Sequence, residues 1–318
     1  MICNRLRFPG IAALCVAALL GSPSVVTSQS LPDRIVVFGD SLSDSGNGFV
    51  FAKTSSTPPD WGMDFLLIPD APYARGGHHL SNGPTWIEQF ARPLGFAPSV
   101  QPAFRSSSPD ALNFAIGTAR AREGTADPSL ALQVASFLQK TGGVAPSDAL
   151  YVIQVGANDV RDALAAGSVT ILQQAAAAIA ANVQTLYAAG ARHFLIWNVP
   201  DVGLTPTVRF LDQAMPGTAA AATLASTALN ALLQGAMAPL SSLPGISIVP
   251  FDAFGLISAI AGNPSQFALT NVTDACVTPN EPPFACTNPD EYLFWDGIHP
   301  TAAAHEIIAR AVAMLFGL

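Results

Sequence analysis

Short runs of continuous apolar residues alternate with helical stretches along the chain, and this alternation is the strongest constraint on its fold. Four runs rich in β-branched and aromatic residues predict buried strands, at 34–38, 151–155, 193–198 and 246–251. The stretches between and after them predict helices, at 129–140 with Asp127 as its cap, 171–189, 218–240 and 301–316. Strands that alternate with helices pair in parallel through right-handed crossovers. We therefore predict an α/β protein, a three-layer α/β/α sandwich with a central parallel sheet.

The first 28 residues have the layout of a secretory signal peptide. Two arginines precede a short apolar run at 11–20, and small residues follow it. The run is about half of the roughly 20 apolar residues that cross a bilayer, so we expect a cleaved signal rather than an anchor and no stable membrane insertion. We predict a signal peptide over 1–28, a single domain over 29–318 and secretion to the periplasm or the medium.

Two cysteines remain once the signal peptide is removed. Cys276 and Cys286 form an even pair, and secreted proteins retain disulfides. We predict that they are bonded and that the short loop they close supports the motif that follows it.

The charge balance excludes one class of partner. The chain has 14 basic and 22 acidic side chains and no basic cluster, so we expect no nucleic acid partner. His78 and His79 beside Arg75 favour a flexible polar loop over a metal site, because no cysteine or further histidine lies at ligand spacing. We expect no metal, no cofactor and no obligate protein partner.

The first strand leads directly into a turn that contains Ser41. This turn, Gly-Asp-Ser-Leu at 39–42, lies at the carboxyl end of a predicted parallel strand, where open α/β sheets bind ligands. One interpretation makes Ser41 a nucleophile, and the other makes the serines of this turn helix caps. Position 43 is serine, so the G-x-S-x-G nucleophile elbow is not present.

Asp296 and His299 lie three residues apart directly before the last predicted helix. This spacing lets the carboxylate reach Nδ1–H of the imidazole while Nε2 faces a cleft, as a general base for serine requires. A helix cap followed by a surface histidine is the alternative interpretation. His305, in the last helix, is the rival for the base and otherwise a packing or surface residue.

Two further segments offer hydrogen-bond donors for an oxyanion. The first, at 113–119, contains Gly117, whose N–H can approach a substrate without a Cβ in the way. The second, at 156–159, contains Asn158, whose amide can donate. An ordinary turn remains the alternative at each segment.

Taken together, these four motifs, in this order, resemble the GDSL family of esterases and lipases, also called SGNH hydrolases. Further stretches are similar to the same family, at 81–86, 198–201 and 288–295. The resemblance is to a secreted, bacterial-type member with a flavodoxin-like fold. It implies that Ser41 is the nucleophile, His299 the general base and Asp296 the carboxylate that orients it.

The resemblance also implies an oxyanion hole formed by the Ser41 N–H, a backbone N–H of the second motif and the Asn158 side chain. Relatives commonly have Gly-Gly in the second motif, whereas this chain has Gly117 and Thr118, so either residue could be the donor.

The activity that follows is hydrolysis of a small-molecule or lipid carboxylic ester through an acyl-enzyme, without a cofactor. Carbohydrate acetylesterase, phospholipase or acyltransferase activity, and a non-catalytic binding module, remain alternatives. The long segment 49–79 is predicted to be an inserted loop. Its apolar residues either cover an acyl chain as a flap or pack on the sheet edge; they are Phe49, Phe51, Phe65, Leu66, Leu67 and Ile68.

Overall fold

Four parallel strands form the central sheet of the computed structural model, which describes residues 32–74 and 77–318. In spatial order they are β1 Ile35–Gly39, β2 Leu150–Gln154, β3 His193–Trp197 and β4 Ser247–Phe251. Each begins and ends within one residue of its predicted bounds. The four predicted strands are therefore confirmed, while the predicted signal peptide lies outside the described residues.

A further segment, 112–116, runs along the other edge of β1. The Val37 N–H donates to the Leu112 carbonyl at 3.0 Å, and the Ile116 N–H donates to the Gly39 carbonyl at 3.1 Å. Counted as the second strand along the chain, this segment gives the order 2-1-3-4-5, which is the flavodoxin-like order. The chain direction across the sheet reverses at β1, so ligands are expected at the carboxyl end of β1.

Nine α-helices occur within the described residues. In chain order they are α1 Gly48–Ala52, α2 Trp86–Ala91, α3 Leu130–Lys140, α4 Ala157–Ala166, α5 Val169–Ala188, α6 Pro206–Ala214, α7 Thr218–Met237, α8 Ala253–Gly262 and α9 Ala302–Leu315. The four predicted helices are α3, α5, α7 and α9. The other five have only five to ten residues each, too few for a clear apolar period.

Both faces of the sheet are covered by helices. Successive residues of β1 point to opposite faces, so Val36 and Phe38 pack against α3, α5 and α7. Ile35 and Val37 pack against α2 and α9 on the other face. This arrangement confirms the three-layer α/β/α sandwich and explains why the strands are continuously apolar.

The predicted cap of α3 is wrong. Ser129, not Asp127, is the N-cap, and its side chain accepts a hydrogen bond from the Leu132 N–H at 3.2 Å. Asp127 instead pairs with Arg120 at 2.8 Å. Asp127 therefore forms an ion pair with an arginine that precedes it in the chain and does not cap the helix.

A second, small sheet lies beyond β4. It contains β5 Asn271–Ala275 and β6 Tyr292–Phe294, paired in parallel. The short β6 leads directly into the segment 295–301 and then into α9. Among the described residues, no helix is long and apolar enough to cross a membrane.

Candidate active site

Ser41 lies on the turn that directly follows β1. β1 ends at Gly39, where an added Cβ would lie 2.6 Å from the Gln154 carbonyl oxygen, so this close approach requires glycine. Gln133 on α3 accepts from the Gly39 N–H and donates to the Gly39 carbonyl, each at 2.8 Å. The backbone that carries Ser41 is therefore fixed from β2 on one side and from α3 on the other.

Ser41 itself faces a cavity that is also lined by His299 and Asn158. Within the described residues, neither its hydroxyl nor its backbone N–H donates a hydrogen bond. The residue is 8% exposed. Two donors without an internal partner at the wall of a cavity are free to bind a ligand.

Asp40 and Ser43, on either side of this turn, are tied to β2. Asp40 Oδ1 accepts from Gln154 Nε2 at 2.8 Å and from the Leu42 N–H at 3.2 Å. Burial raises the pKa of Asp40 to about 6, and these two hydrogen bonds oppose the rise. Ser43 Oγ donates to Gln154 Oε1 and accepts from Trp86 Nε1, so serine at position 43 has a structural role that glycine could not fill.

Asp44 joins the first motif to the second. Its carboxylate accepts four backbone N–H groups at 2.6–2.8 Å, from Gly46, Asn47, Gly48 and Gly117. Burial raises the pKa of Asp44 to about 6, while the four amide donors favour the charged form. Sequence reasoning did not single out Asp44; its signal is an acidic residue within a run of turn-forming residues.

The two candidate backbone donors of the second motif differ in their partners. The Gly117 N–H is bonded to Asp44 at 2.8 Å, whereas the Thr118 N–H has no partner within the described chain. Asn158 lies in the first turn of α4, where its Nδ2 donates to the Ala119 carbonyl at 3.0 Å. That bond uses one of the two amide hydrogens of Asn158 and fixes the direction of the other.

Asp296 and His299 form a buried hydrogen-bonded pair. His299 Nδ1 lies 2.7 Å from Asp296 Oδ2, and the two residues are 0% and 3% exposed. Asp296 Oδ1 accepts from the backbone N–H groups of Ile298 and His299 at 2.9 and 2.8 Å. The three-residue spacing therefore forms a closed loop in which the carboxylate holds both the backbone and the ring of the histidine.

The inserted segment 49–79 contacts this loop directly. The Gly297 N–H donates to the Leu67 carbonyl at 2.7 Å, and Thr207 Oγ1 on α6 donates to the Leu66 carbonyl at 2.7 Å. The Thr207 N–H also donates to the Gly297 carbonyl at 2.9 Å. The loop with Asp296 and His299 is thus held between the inserted segment and α6.

The cavity beside Ser41 is largely apolar. Its polar lining residues are Asp40, Ser41, Asn158, Arg161, Asp201, Thr205 and His299. Its remaining wall comes from β3, the segment 200–205, β4, α8, the 294–300 segment and α9. The principal apolar lining residues are Trp197, Val202, Phe251, Leu256, Ile257, Phe294, Ile298 and Ile308. Such a wall is suited to a hydrocarbon chain with its polar end at Ser41.

Cys276 and Cys286 are joined in a disulfide, as predicted. Cys276 N–H donates to the backbone carbonyls of Phe294 and Trp295 at 3.1 Å, and Val277 N–H donates to Trp295 at 2.9 Å. The loop that the disulfide closes therefore lies against the residues that directly precede Asp296.

The other histidines lie outside the cavity lining. His305 on α9 is 1% exposed, and burial lowers its pKa to about 3. His78 Nδ1 lies 3.1 Å from Ser55 Oγ, while His79 Nε2 lies 2.7 Å from a carboxylate oxygen of Glu88. No group of three potential metal ligands occurs within the part of the chain that the structure describes.

Comparison with known proteins gives a match over nearly the whole described chain. Residues 35–312 match the family described as GDSL-like lipase/acylhydrolase. A GDSL esterase/lipase of Arabidopsis thaliana is 27% identical, over 92% of this chain and 94% of that protein. A second one, GDSL esterase/lipase APG of the same plant, is 24% identical over 94% and 95% of the two chains.

A protein of Pseudomonas putida described as uncharacterized is 28% identical, over 86% of this chain but 47% of its own length. The similar proteins thus include plant and bacterial sequences, and the bacterial type stays a prediction. The family match includes all four motifs, three of which contribute residues to the cavity lining. The chain belongs to the GDSL-like lipase/acylhydrolase family, a family of hydrolases that act on ester bonds.

Proposed function

We propose that this protein hydrolyses carboxylic esters through an acyl-enzyme formed on Ser41. The observation that carries the proposal is the 2.7 Å bond between Asp296 and His299, in a cavity that Ser41 also lines. A serine hydroxyl is a weak nucleophile until a neighbouring base removes its proton. His299 has its Nδ1 held by a buried carboxylate, which leaves Nε2 for that proton.

The reaction has two half-reactions with the same groups. Ser41 Oγ attacks the ester carbonyl as His299 takes its proton, and the alcohol then leaves with that proton. Water attacks the acyl-enzyme in the same way, gives its proton to His299 and releases the acid with Ser41 restored. Asp296 stays ionised throughout and stabilises the imidazolium that forms in each half-reaction.

Three donors stabilise the oxyanion in this proposal. They are the Ser41 N–H, the Thr118 N–H and the second hydrogen of Asn158 Nδ2. Thr118 is preferred over Gly117 because the Gly117 N–H already donates to Asp44. Donors that are fixed before the substrate arrives cost no reorganisation when the negative charge develops.

The substrate class that we propose is an ester with an apolar acyl chain. The predominantly apolar wall of the cavity supports this choice over an acetylated carbohydrate, most of whose hydroxyl groups would face apolar side chains there. Acyl transfer to a lipid alcohol uses the same acyl-enzyme and differs only in the acceptor. A binding module without turnover is the remaining alternative.

The flap hypothesis for segment 49–79 applies best to its second half. Phe65 is 70% exposed and contacts Phe210 on α6, with ring centroids 6.1 Å apart. Phe49 instead stacks on His78 at 3.9 Å, and Phe51 packs edge-on against Phe104. We therefore propose that only the part around Phe65, beside the loop with Asp296 and His299, reaches an acyl chain.

Secretion is also part of the proposal, with a signal peptide over 1–28 and a single hydrolase domain over 29–318. The disulfide supports it, because such bonds persist in oxidising compartments.

The test is hydrolysis of p-nitrophenyl esters from acetate to palmitate by the wild-type protein and Ser41→Ala. We expect turnover that improves beyond acetate, and a kcat about 10⁴-fold or more lower for Ser41→Ala. Ser265→Ala, at an exposed serine, is the matched control and should equal wild type. Equal activity of Ser41→Ala and wild type would refute the nucleophile, and binding of long-chain esters without turnover would favour the binding module.

A further inference from the structure

The carboxylate of Asp296 has a fourth donor that the sequence did not reveal. Tyr73 Oη donates to Asp296 Oδ2 at 2.7 Å, on the same oxygen that His299 Nδ1 contacts at 2.7 Å. Together with the two backbone donors on Oδ1, each oxygen of the carboxylate accepts two hydrogen bonds. The orientation of the carboxylate is therefore fully determined, and one of its four bonds comes from the inserted segment.

Tyr73 is itself held in one position. It is 2% exposed, and its ring packs edge-on against those of Trp61 and Trp295, with centroid distances of 5.7 and 5.8 Å. Trp61 is fixed in turn by a 2.8 Å bond from its Nε1 to the Phe284 carbonyl, inside the disulfide loop. The Tyr73 N–H donates to the His79 carbonyl at 3.0 Å. The hydroxyl therefore cannot turn away from Asp296 without disturbing this aromatic cluster.

The hydroxyl remains a donor over the working range of pH. Burial and the charge of Asp296 raise the pKa of Tyr73 well above its usual value. An ionised phenol would place a second negative charge against the carboxylate, which the buried setting disfavours.

We propose that Tyr73 is a positioning residue of the ester hydrolase, which fixes Asp296 so that His299 keeps its Nε2 directed at Ser41. This inference rests on the proposed function. Tyr73 also withdraws part of the negative charge from Oδ2, so the carboxylate stabilises the imidazolium less than it would alone. The inserted segment thereby sets both the geometry and the basicity of the histidine.

The sign of the expected change follows from this charge sharing. Without the hydroxyl, more negative charge stays on Oδ2, and the protonated form of His299 is favoured. The ring then keeps its proton to a higher pH, so the acid limb of the kcat/KM profile moves upward. Asp40 and His305 also interact electrostatically with His299, and both are the same in the variant and in wild type. A purely structural role for Tyr73 would change stability and leave this limb in place.

The variant for the test is Tyr73→Phe, which removes one oxygen and keeps the ring. We expect kcat to fall about tenfold or more, KM to change little and the acid limb to move up by about 0.5–1 pH unit. Tyr151→Phe is the matched control, since Tyr151 is also buried and its hydroxyl donates to the Pro146 carbonyl at 2.8 Å. This control should keep the wild-type kcat and the wild-type pH profile of kcat/KM.

Titration of the His299 ring by NMR gives a readout that needs no turnover. A higher midpoint of the His299 titration in Tyr73→Phe supports the inference even if the protein hydrolyses no ester. Absence of hydrolysis would refute only the proposed function. A wild-type midpoint and a wild-type kcat in a folded Tyr73→Phe would overturn the inference. In an Asp296→Ala background, Tyr73→Phe should have no further effect on kcat. A decrease in kcat as large as the one in the wild-type background would also overturn the inference.

Discussion

The two halves of the active site are held in place by different kinds of structure. The turn with Ser41 follows a buried strand and is fixed by side chains and backbone of the central sheet and α3. The loop with Asp296 and His299 follows the three-residue β6 and is held by the inserted segment, α6 and the disulfide loop. Regular structure thus positions the proposed nucleophile, whereas irregular segments that meet from distant parts of the chain position the proposed base.

This difference predicts different sensitivities. Removal of a group on the nucleophile half should remove chemistry and leave the loops in place. Disturbance of a loop on the base half should reduce catalysis and stability together, because the same contacts serve both. Three variants test this difference.

Asn158→Ala has the largest expected effect of the three. Loss of one oxyanion donor should lower kcat by about 10²–10³-fold with little change in KM, because the donor acts on charge that develops in the transition state. Kinetics with a p-nitrophenyl ester and thermal unfolding are the two measurements. Asn182→Ala is a matched control, since both side chains are 7% exposed, lie on helices and donate to one backbone carbonyl.

The control should lose a similar small amount of stability and keep full activity. If Asn158→Ala kept the wild-type kcat, the oxyanion assignment would be wrong. If Asn158→Ala unfolded at a much lower temperature than Asn182→Ala, the part of the site around Ser41 would be as sensitive to substitution as the loop with Asp296 and His299.

Gly297→Ala should have an intermediate effect on the base half. An added Cβ would meet the Leu66 carbonyl oxygen and the Thr207 hydroxyl well inside van der Waals contact, so the inserted segment must move. We expect kcat to fall about tenfold and the free energy of unfolding to fall by about 1–3 kcal/mol. Kinetics and denaturant unfolding measure the two changes.

Gly235→Ala on α7 is the control for Gly297→Ala, because nothing lies within 4 Å of its added Cβ. It should keep wild-type activity and gain about 0.5–1 kcal/mol of stability, because alanine is favoured over glycine inside a helix. A Gly297→Ala protein that lost stability but kept full kcat would separate the loop's packing from its role in catalysis and contradict the comparison.

The double variant Cys276→Ser with Cys286→Ser should have the smallest effect on kcat at room temperature. The free energy of unfolding should fall by about 2–3 kcal/mol, because the unfolded chain loses a short closed loop. Activity should disappear at a lower temperature than in wild type, through the contact of Phe284 with Trp61. A reductant should lower both the stability and the inactivation temperature of wild type and have no effect on the double variant. Equal heat inactivation of wild type and the double variant would contradict a stabilising role for the disulfide.

The sequence was sufficient for the parts of the fold and site that depend on local patterns. Continuous apolar runs located four strands within one residue, and the spacing of Asp296 and His299 predicted a bond that the structure contains. Cys276 and Cys286 were predicted from their number and the expected compartment. In each case the information lies in the residues themselves or in their immediate neighbours.

Contacts between distant segments could not be predicted in this way. Tyr73 reaches Asp296 across 223 residues, and Gln133 reaches Gly39 across 94. The preference for Thr118 over Gly117 depends on Asp44, whose carboxylate takes the Gly117 N–H. No local pattern encodes such partners, because each depends on how the sheet and the inserted segment pack.

The order of the two halves along the chain also determines when activity can begin. Ser41 follows the first strand, whereas Asp296 and His299 directly precede the last helix. A chain still emerging from the ribosome therefore contains the proposed nucleophile long before the proposed base. The complete site would therefore form only after the segment 296–299 has been synthesised, late along the chain, so the nascent chain would remain an incomplete enzyme until then.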